Sequence, residues 1–207
     1  MTIIYLIRHA ENDYLGKEKL AGWLPGVHLN DRGAAQAEAL AEKLAGIRFQ
    51  AIYASPLERA METAEPIAHR QGLQVIPRPA LGEVRYGRWQ GQTLKVLRRR
   101  KLWPIVVHSP SLARFPEGES FSETQARVVA ELESLRTKHK QPKSKIVCVS
   151  HSDTIKLAVA HYLGLPLDLF QRLTVEPASI NILFIGQGHA RLICLNDTQA
   201  SRQPFER

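Results

Sequence analysis

Cysteine is scarce in this chain of 207 residues: Cys148 and Cys194 are the only two, far apart and each inside an apolar strand-like run. That placement argues against a local metal knuckle or a redox pair and predicts buried free thiols. No stretch reaches the roughly 18 continuous apolar residues that a transmembrane helix needs, so no spanning segment is expected. The first apolar run contains Arg8 and lacks both the basic prelude and the small-residue cleavage site of a signal peptide, which makes the cytoplasm the expected compartment. There is no Gly-x-x-x-x-Gly-Lys loop, no zinc-ligand spacing and no repeat of solenoid period. An ATP-binding P-loop is therefore not indicated, and no metal or other cofactor is expected.

Acidic residues are outnumbered, 20 against 28 Lys and Arg, leaving a formal charge of +8. Part of the excess lies in Arg98-Arg99-Arg100-Lys101 and in the stretch from Lys138 to Lys145. Such runs are read first as a solvated face, then as a field that steers a small phosphorylated substrate, and only last as a nucleic-acid contact. No aromatic-basic recognition motif raises nucleic acid above a minor option. The hydrophobic share of 44% is ordinary for a soluble globule, and the length suits one domain over residues 1–200 with a polar tail at 201–207.

What is present is an alternation of strand and helix signals. Ile3–Ile7 reads as a buried strand, and Asn30 as the N-cap of an alanine-rich helix over Gly33–Leu44, with Asp31 favouring its dipole. Ala51–Ala54 is a second strand, followed by a helix from Leu57 to about Gln71 that Pro66 is expected to kink or split. A third short strand falls at Gln74–Ile76. Residues 85–120, rich in Gly, Pro, Arg and Trp with one helical stretch near Thr93–Lys101, read as an inserted lobe folded over the sheet edge and shaping a substrate pocket. Beyond it come a helix over Ser122–Lys138, a central strand over Lys145–Val149 and a helix over Asp153–Leu163. A hairpin, Ser179–Ile185 and Ala190–Leu195, ends the pattern. The fold class is α/β: a three-layer sandwich with a mostly parallel central sheet flanked by helices.

Ligands of such sheets collect beyond the carboxyl ends of the strands. Two strands here end in histidine, as Arg8-His9-Ala10 and as Ser150-His151, so the two imidazoles are expected to converge. Neutral imidazole can attack phosphorus, and guanidinium groups hold a phosphoryl group by charge-assisted bidentate bonds. Arg59, taken alone, reads equally as a surface helix residue paired with Glu58 or Glu62. Glu83, taken alone, reads as an exposed turn carboxylate.

Five blocks in order change that balance. They are Tyr5-Leu6-Ile7-Arg8-His9-Ala10-Glu11-Asn12, Ser55-Pro56-Leu57-Glu58-Arg59-Ala60-Met61-Glu62-Thr63-Ala64, Leu81-Gly82-Glu83 with Tyr86-Gly87-Arg88-Trp89-Gln90-Gly91, Pro116-Glu117-Gly118-Glu119-Ser120, and Val149-Ser150-His151. Together they resemble the histidine phosphatase superfamily, also called phosphoglycerate mutase-like, across about Ile3–Ile155. The resemblance implies that His9 is the nucleophile that becomes phosphohistidine, that Arg8 and Arg59 clamp the phosphoryl oxygens, and that His151 completes the pocket by donating a hydrogen bond. It makes Glu83 the general acid for the leaving alcohol and the general base for water.

The chain also departs from the family pattern. Ala10 stands where glycine is usual, which requires a backbone conformation that alanine tolerates. Asn12 replaces Thr or Ser and either binds phosphate or caps a turn. Asp153, in place of a Gly-rich stretch, either begins the following helix or orients His151 or a polar substrate. Trp23, Arg85, Arg88 and Trp89 are candidates for recognising the rest of the substrate, with a structural or solvated role as the alternative. The expected activity is metal-independent hydrolysis of a small phosphomonoester by the phosphatase branch. A phosphoglycerate mutase-type phosphotransferase and a noncatalytic phosphate- or nucleic-acid-binding protein are the alternatives. Oligomeric state is not predicted.

Overall fold

The computed structural model describes residues 2–141 and 144–198; the expected tail at 201–207 lies outside them. The elements in chain order are β1 (Thr2–Arg8), α1 (Asp13–Gly16), α2 (Asp31–Leu44), β2 (Ala51–Ala54), α3 (Glu58–Gln71), β3 (Val75–Pro77), α4 (Leu94–Leu97), α5 (Trp103–His108), α6 (Phe121–Lys138), β4 (Ser144–Ser150), α7 (Ser152–Leu163), β5 (Ile180–Ile185) and β6 (Ala190–Asp197). The six strands form one mixed sheet in the order β3-β2-β4-β1-β5-β6. The first four run parallel, and the hairpin strands β5 and β6 add an antiparallel margin.

The sheet is covered on both faces, as the unbroken apolar runs of β1 and β4 require. Side chains alternate along β1. Tyr5 and Ile7 pack with Leu40 and Leu44 of α2 and Ile67 of α3, whereas Ile4 and Leu6 pack with Val128, Leu132 and Leu135 of α6 and Ile155 and Val159 of α7. Cys148 is buried in β4, but Cys194 is only half-buried because β6 is an edge strand, which corrects the expectation that both thiols are buried.

Helix ends follow local chemistry. The Asn30 side chain accepts from the Gly33 amide, and Ser120 with Glu123 forms a reciprocal capping box at the start of α6. α3 is not split at Pro66: it runs as one helix from Glu58 to Gln71. Proline removes one donor from the ladder, and burial of Ala60, Ala64, Ile67 and Ala68 against the sheet holds the helix together despite it.

Residues 85–120 differ from their expected form. They contain α4, α5 and three-residue 3₁₀ turns instead of one helical stretch. Their apolar side chains, including Tyr86, Trp89, Leu97, Val106 and Phe115, pack with Phe121, Leu157, Ala160 and Phe170. The segment therefore sits on the helical layer, against α6 and α7, and not over an edge strand. Edge-to-face contacts of Phe115 with Tyr86, Trp89 and Phe121 hold it there.

Candidate active site

The register of the sheet brings the two histidines together. β1 and β4 are parallel neighbours with Arg8 opposite Ser150, and the His9 amide donates to the Ser150 carbonyl at 2.9 Å. The next residues on the two strands, His9 and His151, have ring centroids 5.1 Å apart. A cavity of about 160 Å³ opens beside them, lined by Arg8, His9, Asn12, Tyr14, Lys19, Gly22, Arg59, Glu83, Tyr86, Ser152 and Asp153, among others.

Although they follow matching positions on neighbouring strands, the two imidazoles are held differently. His9 Nδ1 lies 2.8 Å from the Ala10 carbonyl, which can only accept, so Nδ1 carries the proton and Nε2 is left with its lone pair. Arg59 Nε donates to that Nε2 at 3.3 Å. His151 is fully buried: its Nδ1 accepts from Arg59 Nη2 at 3.2 Å, so its Nε2 carries the proton and donates to Ser55 Oγ at 2.8 Å. Burial, reinforced by Arg59, Arg8 and the other histidine, pushes the His151 pKa well below its ordinary value. Burial and the two arginines do the same to His9. Both rings are neutral. His151 thus faces Arg59 as an acceptor, since a guanidinium can only donate, and it is not among the residues lining the cavity.

Arg59 enters from the first turn of α3 and is almost completely buried, which removes the surface-helix alternative. Besides the two imidazoles it contacts the Gly22 carbonyl, through Nη2 at 2.9 Å. Gly22 has φ +56, and a Cβ there would lie 2.5 Å from the Gln90 side chain, so a glycine is needed for the loop to bring this carbonyl to the arginine. Thr63, one turn along α3, accepts from the Ala10 amide and donates to the Arg59 carbonyl, tying the helix to the loop that follows β1. Arg8 donates through Nη1 to the Val175 carbonyl at 2.7 Å. Arg8 Nε and Arg59 Nη1 are buried and have no hydrogen-bond partner within the protein, although a buried donor is normally satisfied. Both belong to residues that line the cavity.

Glu83 is nine-tenths buried, with Oε1 accepting from the Val84 amide at 2.9 Å. Burial and the nearby charge of Asp153 raise its pKa from 4.5 to about 7, against the opposing pull of the Val84 hydrogen bond and the two arginines. Asp153 accepts from the Tyr86 hydroxyl at 2.9 Å and lies 3.7 Å from Lys156 Nζ. It therefore begins α7 and also faces the cavity, without contacting His151.

The remaining sequence candidates fall in several places. Asn12 lines the cavity, but its side-chain oxygen accepts from the Tyr14 and Leu15 amides and so caps α1. Ala10 is fully buried without adopting a positive φ, so its methyl group costs no backbone strain. Trp23 and Arg85 lie behind Glu83: Trp23 Nε1 donates to the Glu83 carbonyl at 2.6 Å, and the Arg85 guanidinium stacks 4.0 Å over the Trp23 ring. Arg88 is exposed and paired with Glu117, and Trp89 is buried beside Trp103. Neither Arg88 nor Trp89 lines the cavity, because the turn at 87–89 directs one to solvent and the other into the lobe's apolar cluster.

Sequence reasoning singled out no role for Ser55, Thr63 or Tyr86, although all three stand inside the quoted blocks. Tyr14 in α1 and Lys19 just after it carried no signal at all. Among the described residues, no group of three or more His, Cys, Asp or Glu side chains is arranged to hold a metal ion, and no helix is long and apolar enough to cross a membrane.

The chain is similar to known proteins over most of their length. Phosphoserine phosphatase 1 of Hydrogenobacter thermophilus is 29% identical over 203 residues, covering 96% of this chain and 93% of that protein. A 2,3-bisphosphoglycerate-dependent phosphoglycerate mutase of Thermoplasma acidophilum is 28% identical, covering 91% and 90%. The structure of phosphoserine phosphatase from Entamoeba histolytica in complex with 3-phosphoglyceric acid superposes with a TM-score of 0.85 at 28% identity, covering 96% of this chain and 98% of that one. With a family model matching residues 4–198, the chain belongs to branch 1 of the histidine phosphatase superfamily.

Proposed function

We propose that the protein hydrolyses a small phosphomonoester through a phosphohistidine at His9 Nε2. The observation that carries this reading is the pairing of a neutral imidazole nitrogen with two buried, unpartnered guanidinium N–H groups at one cavity. A phosphoryl group set there meets a nucleophile on one side and donors for its equatorial oxygens around it.

In the first step His9 Nε2 forms a bond to phosphorus as the bond to the ester oxygen breaks. That oxygen takes its proton from Glu83, whose pKa of about 7 leaves it protonated in a useful fraction near neutral pH. In the second step water attacks the phosphohistidine, Glu83 accepts the water's proton, and phosphate leaves with His9 restored. His151, whose Nδ1 accepts from Arg59 and whose Nε2 donates to Ser55, supports the pocket by fixing the Arg59 guanidinium beside His9. Arg8 and Arg59 supply the positive charge, and the chemistry calls for no metal or other cofactor.

A cavity of about 160 Å³ fits a small metabolite. Lys19 and Asp153 line it along with the arginines, offering a cation and an anion to the leaving group. The names of the relatives, phosphoserine phosphatase and a phosphatase bound to 3-phosphoglyceric acid, support a small phosphorylated hydroxy acid or amino acid as substrate.

The test is a phosphomonoester screen in chelator with wild type and His9→Ala, combined with capture of an acid-labile phosphoenzyme. Turnover and capture by the wild type alone are expected. Full activity in His9→Ala would overturn the mechanism. The mutase relative motivates a second reading, and incubation with 3-phosphoglycerate separates the two: free phosphate without positional isomerisation supports the hydrolase.

A further inference from the structure

The backbone that carries Glu83 follows a single 3₁₀ turn, Pro79–Leu81, whose hydrogen bonds use the Arg78 and Pro79 carbonyls and none of those after them. Four consecutive carbonyl oxygens, from Ala80 to Glu83, instead accept from side chains. Arg127 Nη1 reaches Ala80 O at 2.8 Å and Gly82 O at 3.2 Å, and Arg127 Nη2 reaches Glu83 O at 3.2 Å. Ser150 Oγ donates to Leu81 O at 2.7 Å, Thr154 Oγ1 to Gly82 O at 2.9 Å and Trp23 Nε1 to Glu83 O at 2.6 Å. A buried backbone acceptor without a partner is costly, so these donors determine where the segment can lie. Arg127 alone serves three of the four.

Arg127 is itself held in place. Its Nε and Nη2 meet the two oxygens of Glu119 at 3.2 and 2.9 Å, a bidentate pair that fixes the guanidinium plane. Glu119 also accepts from the Arg85 amide and the Thr124 hydroxyl. Burial alone would raise the Glu119 pKa, but Arg127 and these donors hold it below the ordinary carboxylate range. At Gly82 a Cβ would lie 2.2 Å from the Trp23 ring, so the opposite side of the segment has no room to shift.

We infer that Arg127, which does not line the catalytic cavity, is a positioning residue for proton transfer by Glu83, with Glu119 as its anchor. The inference rests on the general-acid reading of Glu83. A guanidinium on α6 couples the Pro116–Ser120 block to the acid, which explains why an ion pair outside the cavity belongs to the catalytic design.

A positioning role predicts a loss that depends on the leaving group. kcat/KM reports steps only up to the first irreversible one, here expulsion of the alcohol, and protonation matters most when that alcohol is a poor leaving group. The experiment measures kcat/KM across phosphomonoesters from alkyl to dinitrophenyl for wild type, Glu83→Gln, Arg127→Met, Arg127→Lys and the double variant Glu83→Gln/Arg127→Met. For Arg127→Met a loss of about 100-fold is expected on alkyl esters, shrinking to a few-fold on the dinitrophenyl ester. The double variant should be no worse than Glu83→Gln alone. Arg127→Lys keeps the charge and loses the bidentate fork, so it should fall between wild type and Arg127→Met; it also serves if Arg127→Met does not fold. A loss that is uniform across leaving groups in either folded Arg127 variant, or losses that multiply in the double variant, would overturn the inference while leaving Glu83 as the acid. If Glu83→Gln itself shows no leaving-group dependence, the general-acid reading fails and the inference fails with it.

Discussion

The ends of β1 and β4 are near copies: adjacent parallel strands, apolar on both faces, each followed by a buried histidine that contacts Arg59. They differ in what holds the other ring nitrogen. His9 uses a carbonyl one residue away and lines the cavity, whereas His151 uses a serine from the loop after β2 and is not among the lining residues. In the proposed mechanism the same residue type at matching sheet positions serves as nucleophile in one case and as support in the other. The choice between these roles lies in the hydrogen bond opposite the reactive nitrogen.

The largest expected effect tests that difference directly. His9→Ala should lose at least about 10⁴-fold in kcat/KM and all phosphoenzyme, the scale seen when a covalent nucleophile is removed. His151→Ala should lose about 100-fold and still form phosphoenzyme. Equal loss of phosphoenzyme in both would remove the distinction. Arg59 touches both rings, and Arg59→Met should cost about 10² to 10³-fold, with phosphoenzyme formation slowed and not abolished. Single-turnover kinetics give this number.

Ser55→Ala sharpens the comparison from the other side. It removes the acceptor for His151 Nε2 and nothing at His9, so a loss of about tenfold is expected, matching one orienting hydrogen bond. A loss as large as that of His9→Ala would mean that the two sites are coupled more tightly than their hydrogen bonds imply.

Glu83 gives a test by pH. Its acid form is lost as pH rises through about 7, so kcat/KM for alkyl esters should fall on that limb, and Glu83→Gln should remove the dependence. The same carboxyl affects stability. Its pKa is higher folded than unfolded, so its contribution is complete below the ordinary value of 4.5 and is lost as pH rises through about 7. Glu83→Gln should accordingly match wild type in denaturant melts near pH 4 and exceed it at pH 8, by roughly 1 to 3 kcal/mol. The smallest effect belongs to Arg88→Ala. With its side chain exposed and paired only to Glu117, it should leave kcat/KM unchanged in the same assay.

Legibility followed the range of the interactions involved. β1, β4 and the hairpin were readable because unbroken apolar runs and glycine turns are local signals, and the Asn30 cap is a contact within four residues. The convergence of the histidines followed from parallel strands ending in the same way. The lobe was less readable, since Tyr86, Trp89, Leu97 and Phe115 reach burial through contacts with α6 and α7 and not through a periodic face of their own. Trp23 and Arg85 left substrate contact and a structural role both open because their chemistry suits either task; in the fold Trp23 braces the backbone of Glu83 and Arg85 stacks on Trp23. Pro66 breaks a local rule, and tertiary burial overrides it.

By itself the sequence determined the layers of the fold, the family and the residues from which a phosphate pocket is drawn, because strand patterning and motif order are written along the chain. Only the tertiary structure decided which histidine lines the cavity, that burial and the Asp153 charge raise Glu83, and that Arg127 holds the backbone around Glu83. Each of these depends on how distant parts of the chain come together, where burial strengthens the interaction and no local pattern announces it.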